Sequence, residues 1–293
     1  MTLNTRFNEF LGRDISEHTR NKYYYRLRPF MALHGTKEPE EVTPSMVAAA
    51  IKPDLSEASR AILKSCFHAF FNFCGVDPNP AAALPTWRDT PKRVIVPQEG
   101  DVKRLLDEAV MMSLSGSPRA KRDSLILTLS VMSGNRRGEL RMVKMPEIAD
   151  ALKHPENGIF RAETTGKTGT AVIRFSAFHV PFIERYTAVR PPCSSDYLFV
   201  NLNPDHQDYG QLLSLVGFDR ARTAVCRAAG VHITYQELRR RLATIIARKQ
   251  GVDIAAHALG HSPHSGDRVI RAFYYDPDKA AVDAACLSAF PGG

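Results

Sequence analysis

A proline-rich segment between residues 75 and 97 most strongly constrains how this chain can fold. It begins with the sequence GVDPNP at residues 75–80 and contains three further prolines, at positions 85, 91 and 97. Proline fixes φ, removes a backbone donor and disfavours helix in the preceding residue, so such a segment ends helices and forms a stiff connector. We therefore predict two domains, residues 1–90 and 91–293, with the boundary inside residues 85–97.

The first ninety residues carry helical patterns. Ser16 can cap one helix, and Thr43 followed by Pro44 starts a second, because these residue types favour the first turn. Residues 56–73 predict a third helix, with apolar side chains at helical spacing. Its predicted core stripe comprises Ala61, Ile62, Cys66, Phe70 and Phe73.

The rest of the chain is mainly helical, but its pattern also predicts one β-hairpin. Strands near 158–163 and 170–176 flank a Gly-Lys-Thr-Gly turn. Residues 280–290 predict a short amphipathic helix, which packs on its own domain or docks onto a neighbouring copy. The fold class expected is mainly α with a small antiparallel β-sheet. The predicted helices span residues 99–112, 119–133, 177–189, 208–229, 235–249, 252–260 and 267–275.

The charge of the chain favours a polyanionic partner, nucleic acid first. The formal net charge is +8, and a basic balance of this size is typical of proteins that bind phosphate backbones. The excess is uneven: 11 Lys and Arg face 10 Asp and Glu through residue 90, and 28 face 21 after it. The stronger electrostatic attraction is therefore expected from the second domain.

The cysteines and the hydropathy favour a soluble protein of a reducing cytoplasm. The five cysteines form no C-x-x-C pair, which argues against a disulfide framework or a cysteine-rich zinc site. No apolar run approaches the roughly 18 residues of a membrane span, and the N-terminus lacks a signal-peptide pattern. We expect a cytoplasmic, DNA-associated protein with no membrane partner.

Neighbouring residues argue against two candidate ligand sites, one for a metal and one for a nucleotide. His257 and His261 are four residues apart, but no carboxylate lies between them and Gly260 is typical of a helix end, so a metal site is not predicted. Residues 164–168 (TTGKT) resemble a phosphate loop, but Arg161 stands where the first glycine belongs and a strand, not a helix, follows. We predict neither metal nor nucleotide.

Two arginines, a lysine, a histidine and one tyrosine of a pair together suit attack on a phosphodiester by a tyrosine hydroxyl. Arg136 follows a turn at the start of a helix, Lys167 lies in the predicted hairpin turn, and Arg239 lies on a helix with one apolar side. His261 and a pair of tyrosines come last. Arginines can stabilise phosphate charge, and lysine and histidine can move protons.

These motifs resemble those of the tyrosine recombinases, the phage integrase, Xer and Cre family. Residues 133–140 (SGNRRGEL) are similar to its first arginine motif, and residues 236–244 (QELRRRLAT) to its second. Residues 259–262 (LGHS) match its Leu-Gly-His-Ser motif unchanged, and Lys167 corresponds to its hairpin lysine. The resemblance implies a helical core-binding domain followed by a tyrosine-recombinase catalytic domain.

The resemblance also implies a reaction and a role for each residue. A tyrosine attacks a DNA phosphate, gives a 3′-phosphotyrosine and a free 5′-hydroxyl, and a second transesterification rejoins strands without ATP or metal. Arg136 and Arg239 would donate to the non-bridging oxygens, and Lys167 would protonate the leaving oxygen. His261 would hydrogen-bond the phosphate or the nucleophile.

The sequence departs from the family pattern in two places. Gln236 stands where the family has histidine, and an amide cannot take a proton at neutral pH, so reduced activity is expected. The nucleophile is expected about nine residues after His261, but residue 270 is isoleucine. Tyr274 shares a helical face with Ile270 and is the predicted nucleophile, with Tyr275 in reserve.

Double-stranded DNA is the predicted partner, bound by a homotetramer with a dimer on each site, as the resemblance implies. Two alternatives stay open: a type IB topoisomerase that relaxes DNA without strand exchange, and a DNA-binding protein of weak catalysis. Basic residues on both domains are candidates for phosphate contacts. They are Arg20, Lys22, Lys64, Arg93, Arg137, Arg240, Arg241 and Arg268.

Overall fold

The computed structural model describes residues 1–87, 96–166, 169–259 and 279–290. The chain divides into two compact units, Met1–Arg93 and Val94–Gly293. Helices dominate both, and a two-stranded antiparallel sheet lies in the second, which confirms the predicted fold class. Within the described ranges, no helix is long and apolar enough to cross a membrane.

The first unit packs its helices around a cluster of phenylalanines. Ser16 caps α2 by accepting a hydrogen bond from the Thr19 amide, as predicted. Edge-to-face pairs such as Phe10 with Phe70, whose ring centroids lie 5.4 Å apart, fill the core. The helices are α1 (Leu3–Gly12), α2 (Glu17–His34), α3 (Pro44–Ala50) and α4 (Glu57–Cys74), with a 3₁₀ turn at Pro39–Glu41.

The second unit is built around one buried helix, α6. Every residue from Arg122 to Ser133 on that helix is buried, including its hydroxyl residues. Those hydroxyls donate to carbonyls of the preceding turn, as Ser130 does to Ile126 at 2.6 Å, so their burial leaves no donor unsatisfied. The surrounding helices are α5 (Glu99–Leu114), α6 (Pro118–Ser133), α7 (Arg137–Arg141), α8 (Met145–Lys153), α9 (Val180–Thr187), α10 (Leu215–Ala228), α11 (Tyr235–Gln250), α12 (Val252–Ala258) and α13 (Lys279–Ala289).

The hairpin consists of β1 (Ile159–Gly166) and β2 (Gly169–Ser176). The strands pair in antiparallel register, with Ile159 opposite Ser176 and Gly166 opposite Gly169. Both strands were predicted, and both extend further toward the turn. The predicted turn residue Lys167 lies outside the described residues.

Two of the predicted helices have different bounds in the structure, and one helix was not predicted. The helix predicted over 208–229 begins at Leu215, because residues 201–214 form a loop whose backbone pairs Val200 with Leu212. The helix predicted over 177–189 is a 3₁₀ turn followed by α9, and α8 was not predicted. The helix predicted over 267–275 lies outside the described residues.

The predicted terminal helix is present as α13 and packs on its own unit. Buried Asp283 contacts the guanidinium of Arg161 and lies 3.4 Å from Nε of Arg174, so it joins α13 to both hairpin strands. Arg241 of α11 donates to the Ala289 carbonyl at 3.0 Å. The helix is thus held by a buried ionic cluster as well as by apolar contacts.

Candidate active site

The buried helix α6 determines where Arg136 lies. It ends at Gly134, whose φ of +60° gives the left-handed conformation that lets the chain turn sharply after the helix. Arg136 follows as the residue that caps α7. Its own amide donates to one oxygen of Glu139 at 2.9 Å, and Nη1 donates to the other oxygen at 2.7 Å. A buried carboxylate therefore orients an exposed guanidinium.

Helix α11 brings Arg239 to the same place. Its first turn is closed by Thr234 and Glu237, each of which accepts a hydrogen bond from the other's backbone amide. Arg239 lies one turn later and donates from Nη1 to the Gly134 carbonyl at 2.6 Å and from Nη2 to the Leu259 carbonyl at 2.6 Å. The guanidinium thereby ties the end of α6 to the end of α12.

Burial and a neighbouring charge lower the pKa of Arg239. Desolvation, followed by the positive charge of Arg136, lowers the pKa of Arg239 to about 10, and Glu139 acts in the opposite direction. At neutral pH the side chain therefore remains protonated. Two cations that repel each other in this way favour an anion between them.

Arg136, Gln236 and Arg239 line one cleft with a volume of about 420 Å³. Gln236 is exposed and lies three residues before Arg239, so both are on the same face of α11. The structure thus brings together three of the predicted catalytic residues, which come from two separate sequence motifs. Lys167, His261, Tyr274 and the reserve Tyr275 lie outside the described residues.

The cleft also contains residues that sequence reasoning did not assign. Asp219 and Arg222 project from α10, and Thr234 and Tyr235 come from the start of α11. Tyr235 donates its hydroxyl to the Phe218 carbonyl at 2.7 Å, and burial raises its pKa, so it is a structural residue and not a nucleophile. Only their spacing on a helix could have signalled Asp219 and Arg222.

The predicted DNA-contacting residues of the first unit differ in their surroundings. Lys22 is exposed. Arg20 donates to the Leu11 carbonyl at 2.8 Å, which joins α2 to α1. Lys64 donates to the Leu84 carbonyl at 2.6 Å. Two of these three cations are thus already used in holding the unit together.

In the second unit one of the predicted contacts needs correction. Arg241 is 4% exposed and pairs with Glu99 at 2.5 Å, so its guanidinium faces the interior and not a nucleic acid. Arg240 is exposed, and Arg137 lies at the cleft beside Asp219. Arg93 and Arg268 lie outside the described residues.

Known proteins share this fold and parts of this sequence. The chain is 26% identical over 251 residues to y4rF of Sinorhizobium fredii, a protein named as an integrase or recombinase; the match covers 79% of this chain and 56% of that protein. The chain therefore spans just over half the length of this curated relative.

Two solved structures have the same fold at low identity. One is a lambda integrase dimer bound to a COC′ core site, with a TM-score of 0.64, 17% identity, and coverage of 94% of this chain and 98% of that one. The other is the XerH site-specific recombinase bound to difH substrate, with a TM-score of 0.64, 19% identity, and coverage of 88% and 79%.

The sequence profile of the phage integrase family matches residues 98–271. That range is more than half of the chain and includes both arginine motifs and the Leu-Gly-His-Ser motif. The resemblance inferred from those motifs is thereby confirmed, and this protein belongs to the phage integrase family.

Proposed function

We propose that this protein is a site-specific DNA recombinase that cleaves and rejoins strands through a 3′-phosphotyrosyl intermediate. The observation that carries the proposal is the cleft in which Arg136 and Arg239 meet. Their motifs are about a hundred residues apart, yet one guanidinium is oriented by a carboxylate and the other by two carbonyls. Two oriented guanidiniums suit a phosphate whose negative charge grows during the reaction.

Arg136 and Arg239 would donate to the two non-bridging oxygens of the phosphate that is cleaved. Tyr274 would attack the phosphorus and form a phosphotyrosine bond, while the P–O5′ bond breaks and Lys167 gives a proton to the leaving oxygen. His261 follows Leu259 by two residues in the chain, and the Leu259 carbonyl is bound to Arg239. This link supports a role for His261 beside the same phosphate.

The partner would be double-stranded DNA, held by the first unit as well as the second. Lambda integrase and XerH were solved on DNA, and lambda integrase also as a tetramer on a Holliday junction, with a TM-score of 0.64 to this chain. These likenesses support a DNA-associated homotetramer, with a dimer on each site. We also propose that the first unit is the core-binding domain.

The proposal is tested by trapping the covalent intermediate. The protein is mixed with nicked duplexes whose central sequence is randomised, so that a cleaved strand end diffuses away, and DNA that stays attached after denaturation is sequenced. Wild type and Tyr275→Phe should form adducts, and Tyr274→Phe should not. Adducts that depend on Tyr275 instead would reassign the nucleophile, and no adduct with any duplex would refute the proposed chemistry.

Arginine variants measure how much the cleft contributes to the rate of adduct formation. Arg136→Ala and Arg239→Ala should each slow adduct formation by roughly 10²- to 10³-fold, because a lost donor to the developing charge costs about 3–4 kcal/mol. Arg104→Ala removes an arginine from an exposed pair on α5 and is the matched control. Relaxation of a supercoiled plasmid by monomers without strand exchange would indicate a topoisomerase instead.

Gln236 offers a separate test of the site. It lines the cleft but cannot accept a proton at neutral pH. Gln236→His should therefore increase the rate of adduct formation, with the gain appearing above the imidazole pKa, near 6.5. A Gln236→His variant that cleaves more slowly than wild type would show that the amide is not a handicap in this protein.

A further inference from the structure

The cleft holds two guanidiniums beyond those assigned to the cleaved phosphate. Arg137 follows Arg136 directly, so their Cα atoms are about 3.8 Å apart. Arg222 comes from α10, one helical turn after Asp219. Four arginines and a single aspartate therefore line this cleft among the residues that the structure describes. With four arginines and one aspartate, the cleft has more cationic groups than one phosphodiester requires.

Asp219 forms an ion pair with Arg137 across the cleft wall. Nη1 of Arg137 lies 2.5 Å from Oδ2 of Asp219, and the two side chains are 45% and 44% exposed. The pair joins α7 to α10, and its two residues are 82 positions apart in the sequence. An ion pair this exposed is weak, so a strong anionic ligand can replace the carboxylate.

Arg222 is positioned for the same kind of ligand. It donates from Nη1 to the Ile233 carbonyl at 2.9 Å and from Nη2 to Thr223 Oγ1 at 3.3 Å. A guanidinium has five N–H donors. In the part of the chain that the structure describes, these two bonds orient Arg222 and leave further donors for a ligand.

We propose that Arg137 and Arg222 form a second phosphate subsite beside the one that Arg136 and Arg239 form. In the free protein the Asp219 carboxylate occupies this subsite by pairing with Arg137. When DNA binds, a phosphate next to the cleaved one takes its place. The inference rests on the proposed function, since the ligand is the DNA backbone. Asp219 thereby lowers the affinity for any duplex that is not seated well enough to displace it.

A double-mutant cycle on DNA binding tests this idea without any need for the target site. A 30-base-pair duplex of mixed sequence is titrated at several salt concentrations, in a Tyr274→Phe, Tyr275→Phe background that cannot cleave. Arg137→Ala should weaken binding and reduce the salt slope by about 0.9, the contribution of one phosphate contact. Asp219→Asn should tighten binding two- to fivefold, and should have no effect once Arg137 is alanine.

A general charge effect gives a different result. If Asp219→Asn tightens binding equally in the Arg137→Ala protein, Asp219 does not act through Arg137 and the proposal is wrong. An unchanged salt slope for Arg137→Ala also refutes it. The matched controls are Arg104→Ala and Asp101→Asn, which change an exposed pair at 2.6 Å on α5. Effects of the same size in these controls would mean that any surface charge suffices.

The binding cycle tests the second subsite separately from the proposed cleavage chemistry. Binding is measured with a protein that lacks both tyrosine hydroxyls, whereas the trapping experiment uses proteins that can cleave. If adducts form but the effects of Arg137→Ala and Asp219→Asn on binding simply add, only the second subsite is refuted. If the two effects are coupled but no adduct forms, the recombinase chemistry is refuted and the phosphate subsite stands. Thermal midpoints of the variants, expected within 2 °C of each other because both positions are exposed, exclude unfolding as the cause.

Discussion

Gly134 is the residue at which a single methyl group should affect both the stability and the site. It ends α6 at a φ of +60°. A Cβ built there would lie 2.6 Å from Cδ2 of Leu242 and 2.9 Å from Cδ2 of Leu259, and both leucines are buried. Its carbonyl also accepts the hydrogen bond from Arg239. Replacement by alanine therefore strains the backbone, crowds the core and moves an anchor of the cleft.

The expected loss has two parts. A non-glycine residue in the left-handed region costs about 1–2 kcal/mol. Crowding a packed core adds about 1–3 kcal/mol, because the two leucines cannot move without displacing their own neighbours. Gly134→Ala should therefore lower the free energy of unfolding by about 2–5 kcal/mol.

Gly230 provides a control within the same unit. Its φ is +64°, and a Cβ there meets nothing within 4 Å. Gly230→Ala should thus show only the backbone part, about 1–2 kcal/mol. Urea unfolding is best followed by circular dichroism, because the single tryptophan, Trp87, lies in the first unit. A difference in unfolding free energy below about 0.5 kcal/mol between Gly134→Ala and Gly230→Ala would refute the packing argument. Equal rates of adduct formation in these two variants would refute the link to Arg239.

Two further predictions concern buried charge. Asp283→Ala removes the carboxylate shared by Arg161 and Arg174 and should lower the free energy of unfolding in urea by about 3–5 kcal/mol. Asp101→Ala, the control from an exposed pair, should lower it by less than about 1 kcal/mol. Similar losses in the two variants would contradict the argument. Burial lowers the pKa of His179 to about 4. Below pH 6.5 the unfolded chain then gains a proton that the native state gains only near pH 4, so stability should fall over this range by at most about 3 kcal/mol. His179→Phe should remove that part of the acid sensitivity, and an unchanged pH profile would exclude His179 as its source.

Local signals in the sequence were sufficient for most helices and for the hairpin. Capping residues act within one turn, so Ser16 and its helix could be predicted from neighbours alone. The face of a helix was harder to predict. On α4 the buried positions include Leu63, Phe67 and Phe71, whereas the predicted Ile62 is 37% exposed. Nearly every face of that helix carries apolar residues, so spacing alone could not select the correct one.

The three consecutive arginines of α11 show why the site was only partly predictable. Successive helical residues are about 100° apart, so Arg239, Arg240 and Arg241 must face three directions. In the structure the first lines the cleft, the second is exposed and the third is buried against Glu99. The pairing of Asp219 with Arg137 could not be predicted from the sequence, since the two residues are 82 positions apart and only tertiary packing brings them together.

The environment of Arg239 predicts that lysine cannot replace arginine at this position over the whole pH range. Two carbonyls orient its guanidinium without cancelling the charge, and burial, followed by the positive charge of Arg136, lowers its pKa from 12.5 to about 10. Lysine has a lower ordinary pKa than arginine, so the same burial would bring its pKa closer to neutrality. Arg239→Lys should then lose its charge at a lower pH than arginine does, and its rate of adduct formation relative to wild type should fall as the pH rises from 7 to 9. Taking the ratio cancels the ionisation of the tyrosine, so a ratio that stays constant from pH 7 to 9 would show that burial does not control the charge at this position.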